Sequence, residues 1–329
     1  MENSNLTPMV KMKGLYYSDG KLAYRDDLPM PVPGEGEALI KVIKAGICRT
    51  DIEIAAGYMD FVGVPGHEFV GMVVKSPNPD NAGSRVVGEI NCGCGVCEYC
   101  HKGEQNHCPK RTVLGIKGRD GAFAEYMVLP EKNLHHIPES LSDAAAVFVE
   151  PLSAAYRIVE QVVVRGANVL VLGDGKLGLL IARTLDIMRA DVTLCGRHKR
   201  KLAILDGTNV NAVLEGELKS GKLYDVVVDA TGRPDGANMA LSLTKPRGST
   251  VLKTTTREKR ELDLNLAVIN EISIVGSRCG PFVHGLALLE TGRIQLSRMI
   301  ESEFSIEEGI KAFEAAGKPG ALKVLVRFQ

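Results

Sequence analysis

The chain carries two textures of hydrophobic and polar positions. Between Lys13 and Glu131 the apolar residues come in short alternating runs, as in EALIKVIKAG (37–46), GHEFVGMVVKS (66–76) and GAFAEYMVLP (121–130), broken by glycine and proline. Such alternation predicts strands, because successive side chains on a strand point to opposite faces and Gly or Pro interrupts the ladder. Helical periodicity is scarce there, so this part reads as a β-rich, barrel-like domain. After Pro138 the texture changes. SLSDAAAVFVEPLSAAYRIVEQV (140–162) opens on a serine suited to cap a helix and predicts one or two helices, broken or kinked at Pro151. Apolar runs then recur at 168–173, 191–196, 211–214, 225–230, 248–253 and 272–276, with helical patterns between them. Strands separated by helices predict a parallel, doubly wound sheet, since parallel neighbours need a crossover. FSIEEGIKAFEAAGKPGALKVLVRF (304–328) adds an amphipathic helix, a Lys-Pro-Gly stop and a strand.

Composition narrows the class. A chain of 329 residues has room for two domains, and 45% apolar with 24% charged residues excludes a disordered or fibrous protein. Lys+Arg and Asp+Glu each total 40, so no global field draws the chain to nucleic acid or an anionic membrane, and any basic recognition is local. MENSNLTPMVKMKG at the N-terminus has neither the basic start nor the apolar core of a signal peptide, and no apolar run reaches the length of a membrane span. The expected location is cytoplasmic. Of eight cysteines, five fall between Cys92 and Cys108, and in a reducing compartment such clustering argues for metal rather than disulfides. Cys195 and Cys279 stand in apolar surroundings and read as core.

Three constellations carry chemistry. VLVLGDGKLGLLIARTL places Gly173, Gly175 and Gly178 in G-x-G-x-x-G spacing, with Lys176 and Leu177 inside the motif, directly after a strand and opening a helix. That context supplies a tight turn, close backbone approach to a pyrophosphate, and a helix N-terminus whose free N–H groups favour an anion. The fingerprint normally ends some 20 residues on with an acid that holds the adenosine ribose. Here Gly196 and the basic run Arg197, His198, Lys199, Arg200, Lys201 stand in its place. Removing the acid removes repulsion toward a 2′-phosphate, and Arg197 with Arg200 or Lys201 could supply charge-assisted hydrogen bonds, so NADP is favoured over NAD. The competing reading is a solvated helix start.

Cys94, Cys97, Cys100 and Cys108 form a C-x2-C-x2-C-x7-C array. Four thiolates on one loop close a tetrahedral shell, as a structural zinc requires. Cys48, His67, Glu68 and Glu150 are scattered, but a Cys, a His and a carboxylate could hold a second, catalytic zinc with one position left for water or substrate.

With GICRTD, GHEFVG, the four-cysteine lobe, VEPLS, GDGKLG and DATG in this order, the chain resembles the zinc-dependent medium-chain alcohol dehydrogenase family over nearly its whole length. The resemblance implies an α/β protein with a GroES-like β-rich catalytic domain at 1–153, completed by 281–329, and a Rossmann doubly wound parallel sheet at 154–280. It implies catalytic zinc on Cys48, His67 and Glu150, with Glu68 as an alternate or exchanging ligand. Glu150 in the third position is similar to the polyol, glucose and threonine dehydrogenase branch. By the same resemblance Arg49 reaches the cofactor pyrophosphate, Thr50 passes the substrate proton toward the nicotinamide ribose, Asp51 orients the zinc histidine, and Thr231 of DATG lies at the cofactor. Glu53 stands where liver-type enzymes have a relay histidine, a departure from the pattern. The implied activity is hydride transfer between NADP(H) or NAD(H) and a primary or secondary, polyol- or sugar-like alcohol, by a homodimer or homotetramer. The alternatives are a biosynthetic NADPH-dependent carbonyl reductase of the same fold and a non-catalytic nucleotide-sensing protein.

Overall fold

The period-two runs of the first part form strands, and the alternation after residue 160 forms a parallel sheet. The computed structural model describes residues 10–58, 60–219, 221–255 and 261–328; most of the N-terminal stretch read for a targeting signal lies outside them. The chain divides into two units, Met1–Phe148 with Ile300–Gln329, and Val149–Met299.

The first unit begins with a hairpin of β1 (Lys11–Ser18) and β2 (Lys21–Pro29), followed by β3 (Glu37–Gly46), α1 (Arg49–Ala55), β4 (Glu68–Lys75) and β5 (Arg85–Gly88). The cysteine lobe carries β6 (Asn91–Cys92), α2 (Glu98–His101) and β7 (Thr112–Val113); β8 (Tyr126–Pro130), β9 (Leu134–His136) and α3 (Asp143–Ala146) follow. Ser142 caps α3, its hydroxyl accepting from the Ala145 amide.

The second unit runs α4 (Val149–Gln161), β10 (Asn168–Leu172), α5 (Lys176–Ile187), β11 (Asp191–Gly196), α6 (Lys199–Leu202), β12 (Asn211–Leu214), β13 (Tyr224–Asp229), α7 (Gly236–Ser242), β14 (Thr244–Leu252), α8 (Leu264–Ile269), β15 (Ser273–Gly276) and α9 (Phe282–Glu290). Its six strands are parallel in the order β12-β11-β10-β13-β14-β15. The order reverses direction between β10 and β13, and in such sheets ligands bind outside the carboxyl ends of the strands at that point. Leu170, Leu172, Cys195 and Val227 lie buried in one cluster of its core. The chain then returns to the first unit through β16 (Ile300–Ser305), α10 (Gly309–Gly317) and β17 (Lys323–Arg327), completing a sheet of order β16-β17-β3-β4-β5-β9 with β8 paired to β3.

The structure corrects four expectations. Pro151 breaks nothing: α4 starts at Val149, and in the first turn of a helix the missing N–H would have had no intrahelical partner. The second crossing between units falls at Ile300 rather than 281, and the first at Val149 rather than 154. α9 stays with the second unit because it packs on α4, where Tyr156 stacks on His284 with ring centroids 4.2 Å apart. β16, with the polar sequence IESEFS, gave no strand signal; it forms by parallel pairing with β17. Finally, Cys195 is buried in the core, but Cys279 is only half-buried. Its sulfur acts on Lys253, a buried ammonium that donates to Ser277 Oγ (3.0 Å) and the Arg278 carbonyl (2.6 Å). Burial pulls Lys253 down to about 8, against the opposing pull of Cys279 and Glu150.

Among the described residues no helix is long and apolar enough to cross a membrane.

Candidate zinc and dinucleotide sites

The loop from β3 into α1 and the start of β4 bring the first constellation together. Ligand-capable atoms of Cys48, His67 and Glu68 all lie within 4.8 Å of one another. Asp51, fully buried, holds the arrangement from inside: its Oδ2 accepts the Cys48 amide (2.8 Å) and its Oδ1 accepts His67 Nδ1–H (3.1 Å). One carboxylate thereby starts α1 and fixes the imidazole tautomer, leaving Nε2 to coordinate. Burial works against a charged His67, yet Asp51 and Cys48 raise it well above its ordinary value. An imidazole between a carboxylate and a thiol favours a positive centre, and a sulfur, nitrogen and oxygen donor set fits zinc. Thr50 sits two residues on, in the first turn of α1, its Oγ1 accepting from Cys48 Sγ at 3.8 Å. Asp51→Asn is expected to weaken zinc affinity about 10–100-fold, read by competition with a chromophoric chelator; unchanged affinity would remove Asp51 from the site.

Glu68 has a partner that sequence reading missed. Lys323, at the start of β17, forms a buried ion pair with Glu68 Oε2. The two meet beside Gly46 of β3, where a Cβ would stand 2.7 Å from Glu68 Oε2 and 3.1 Å from Lys323 Cδ. The signal available was a lysine opening a strand whose next three residues are apolar. Arg49 and Glu53 pair with each other, Nη2 to Oε1 at 2.6 Å. Glu53 in the relay position is thus held by a guanidinium. Glu150 belongs to the second unit, in the first turn of α4.

In the lobe, the four sulfurs of Cys94, Cys97, Cys100 and Cys108 lie within 4.8 Å of one another, and the Cys94 amide donates to Cys108 Sγ at 3.4 Å. The Val96 amide pulls the Cys94 thiol down to about 6. The Cys100 amide favours a Cys97 thiolate, but desolvation and the neighbouring sulfurs push it up to about 11. Four crowded sulfurs that cannot all ionise alone suit a divalent cation, which stabilises every thiolate at once.

The dinucleotide turn follows β10. Gly178 touches the backbone of the turn, since a Cβ there would stand 1.9 Å from the Gly173 carbonyl; Gly175, in contrast, faces open space. The protein's own packing requires the first and leaves room at the second, which is the cradle a pyrophosphate needs. Lys176 and Leu177 are half-buried in the first turn of α5. Thr231, just past β13, donates through Oγ1 to buried Asp229 Oδ1 (2.7 Å) and accepts the Arg233 amide (3.1 Å). At the tip of β11 the basic run divides: Arg197, Lys199 and Arg200 are exposed, whereas Lys201 is buried with Nζ 3.5 Å from Asp174 Oδ1. Lys201, expected to face a phosphate, therefore turns inward.

The family described as the alcohol dehydrogenase GroES-like domain matches residues 34–139. A sorbitol dehydrogenase of Halalkalibacterium halodurans is 30% identical over 323 residues, spanning 91% of this chain and 93% of its own. The chain belongs to the zinc-dependent medium-chain alcohol dehydrogenase family. Solved structures similar to this dehydrogenase include an alcohol dehydrogenase of Escherichia coli CFT073 complexed with NADH, 28% identical, covering 97% of this chain and 99% of its own, with a TM-score of 0.89. A zinc-binding dehydrogenase of Sinorhizobium meliloti 1021 bound to NADP is 29% identical, covers 97% and 100%, and has a TM-score of 0.87. The dehydrogenase is an enzyme of the alcohol dehydrogenase type, an oxidoreductase with a GroES-like domain and a Rossmann sheet.

Proposed function

We propose that the dehydrogenase transfers hydride between NADP(H) and a primary or secondary, polyol- or sugar-like alcohol and its carbonyl product. The convergence of Cys48, His67 and Glu68 around buried Asp51 carries this reading, because a dismantled site would have no reason to keep the donors and their orienting carboxylate together. Cys48, His67 and Glu150, with Glu68 as the alternate, would hold the catalytic zinc, and Cys94, Cys97, Cys100 and Cys108 a structural one. When bound, the catalytic zinc supplies a Lewis acid for negative charge on the substrate oxygen. Thr50 Oγ1 takes the hydroxyl proton and passes it toward the nicotinamide ribose. Gly173, Gly175 and the amides opening α5 hold the pyrophosphate, with Arg49 reaching it, and Thr231 lines the cofactor site. The sorbitol dehydrogenase relative supports a polyol substrate.

Exposed Arg197 and Arg200 support NADP, and NADP preference also suits work in the reductive direction. The lobe's four thiols suit a reducing, cytoplasmic compartment. A homodimer or homotetramer is supported by β15, which ends the sheet with Ile274 36% exposed, and by exposed Leu264, Val268 and Ile269 on neighbouring α8.

Paired fluorescence titrations of the zinc-loaded protein test the cofactor. One or two charge-assisted hydrogen bonds to a 2′-phosphate, about 1.5–3 kcal/mol, predict NADPH binding roughly 10–100-fold tighter than NADH. Equal or tighter NADH binding would overturn the NADP reading, and failure to bind either would overturn the enzyme's proposed chemistry.

A further inference from the structure

The space at the tip of β11 is not vacant. A Cβ on Gly196 would stand 2.5 Å from Asp174 Cβ and 2.7 Å from Asp174 Oδ2. The acid absent from the end of the second strand is thus replaced in space by one from the glycine turn, between Gly173 and Gly175. Its contacts show what it does there. Oδ2 accepts the amides of Arg197 (2.7 Å) and His198 (2.7 Å), and His198 Nδ1–H lies 2.9 Å from Oδ2 and 3.1 Å from Oδ1. Lys201 Nζ lies 3.5 Å from Oδ1. A carboxylate offers about four acceptor sites; three donors crowd Oδ2, and Oδ1 shares the His198 ring N–H and faces the Lys201 ammonium.

The Asp174 side chain is only 8% exposed and Lys201 7%, so the charges cancel beneath the surface. Burial alone would raise the Asp174 carboxyl, but the His198 amide and ring, the Lys201 charge and the Arg197 amide hold it below the usual carboxylate value. The neighbouring acids are likewise engaged: Arg233 pairs with Glu215 (2.9 Å) and Asp235 (2.6 Å). The run of five bases is therefore sorted by contact: buried Lys201 and half-exposed His198 hold Asp174, while Arg197, Lys199 and Arg200 are exposed.

We propose that Asp174 is a positioning residue for 2′-phosphate recognition: it ties the pyrophosphate turn to the turn at 196–198 and so presents Arg197 and Arg200 outward, without itself touching the cofactor. This inference rests on the NADP reading. An acid that bound the ribose directly would need exposure and acceptor sites turned to the ligand, whereas Asp174 is 8% exposed and its oxygens face donors of its own chain. Paired with the Lys201 ammonium from within, it also offers little net charge to repel a phosphate.

The test compares NADPH and NADH dissociation constants for the zinc-loaded wild type, Asp174→Asn and Gly196→Ala. Asp174→Asn deprives the turn of its anionic acceptor, and Gly196→Ala displaces the same carboxylate by a Cβ. Both are expected to weaken NADPH about tenfold while changing NADH no more than about twofold, collapsing the cofactor ratio. If Asp174→Asn instead tightens NADPH and weakens NADH, Asp174 reads the ribose itself and the proposal is overturned. An equal loss of both cofactors also overturns it, by reducing Asp174 to support of the glycine turn. Should Asp174→Asn fail to fold, Gly196→Ala alone decides between these outcomes. A wild type without NADPH preference overturns the parent reading instead, and is recognised before any variant is measured.

Discussion

Cys48→Ala lowers kcat/KM by about 10³-fold or more while NADPH affinity stays at the wild-type level. A zinc Lewis acid supplies several kcal/mol of charge stabilisation, and each 1.36 kcal/mol is tenfold in rate, which gives about 10³-fold. The variant is a clean one. The Cys48 amide, which alanine retains, is the group that donates to Asp51 at 2.8 Å, so α1 keeps its start and His67 keeps its orienting carboxylate. What is removed is one sulfur from a set of donors within 4.8 Å. Apart from Arg49, whose side chain the substitution does not alter, the proposed cofactor residues, Gly173 to Arg200 and Thr231, lie in the other unit, which is why affinity for NADPH serves as the internal control. Metal analysis is expected to show loss of the catalytic zinc with the lobe's zinc retained. Normal turnover in this variant would dismiss the proposed metal site.

Lys323→Met destabilises the first unit by about 3–5 kcal/mol, because removing one partner of a buried ion pair leaves a charge without compensation. Lys323 and Glu68 are each 1% exposed, and the Lys323 ammonium lies 5.6 Å from the centre of the Phe148 ring, so water does not reach the orphaned carboxylate. The corresponding fall in Tm is on the order of 10 °C, read by calorimetry. The double variant Lys323→Met with Glu68→Leu is expected to recover most of the loss, since an apolar pair of similar volume costs no desolvation. A single variant as stable as the wild type would show that Glu68 is balanced by something other than Lys323.

The parts legible in the sequence share one property: their determinants are close together along the chain. The alternation of β10 through β15 with helices was readable because each element's periodicity is complete within a dozen residues or fewer. G-x-G-x-x-G was readable because turn, strand end and helix start are contiguous, and the four cysteines because a single loop carries them. Where local pattern was ambiguous, the reading failed for physical reasons. β16 is too polar to announce itself and owes its existence to its partner strand, while Pro151 looked like a breaker only because the helix start was set too early.

By itself, then, the sequence determined the two textures, the strand order's raw material, the cysteine lobe and the position of the dinucleotide turn, since backbone sterics, periodicity and ligand spacing act over a few residues. Tertiary structure alone decided which distant groups meet. Lys323 finds Glu68 across 255 residues because β17 pairs with one edge of β3 at Gly46 and β4 with the other. Asp174 occupies the place of an acid that the second strand lacks because β10 and β11 lie side by side in register, Leu172 opposite Cys195, which carries the glycine turn up to Gly196. No local rule encodes such pairings, because they are set by strand register and by the space that a missing Cβ leaves between neighbours.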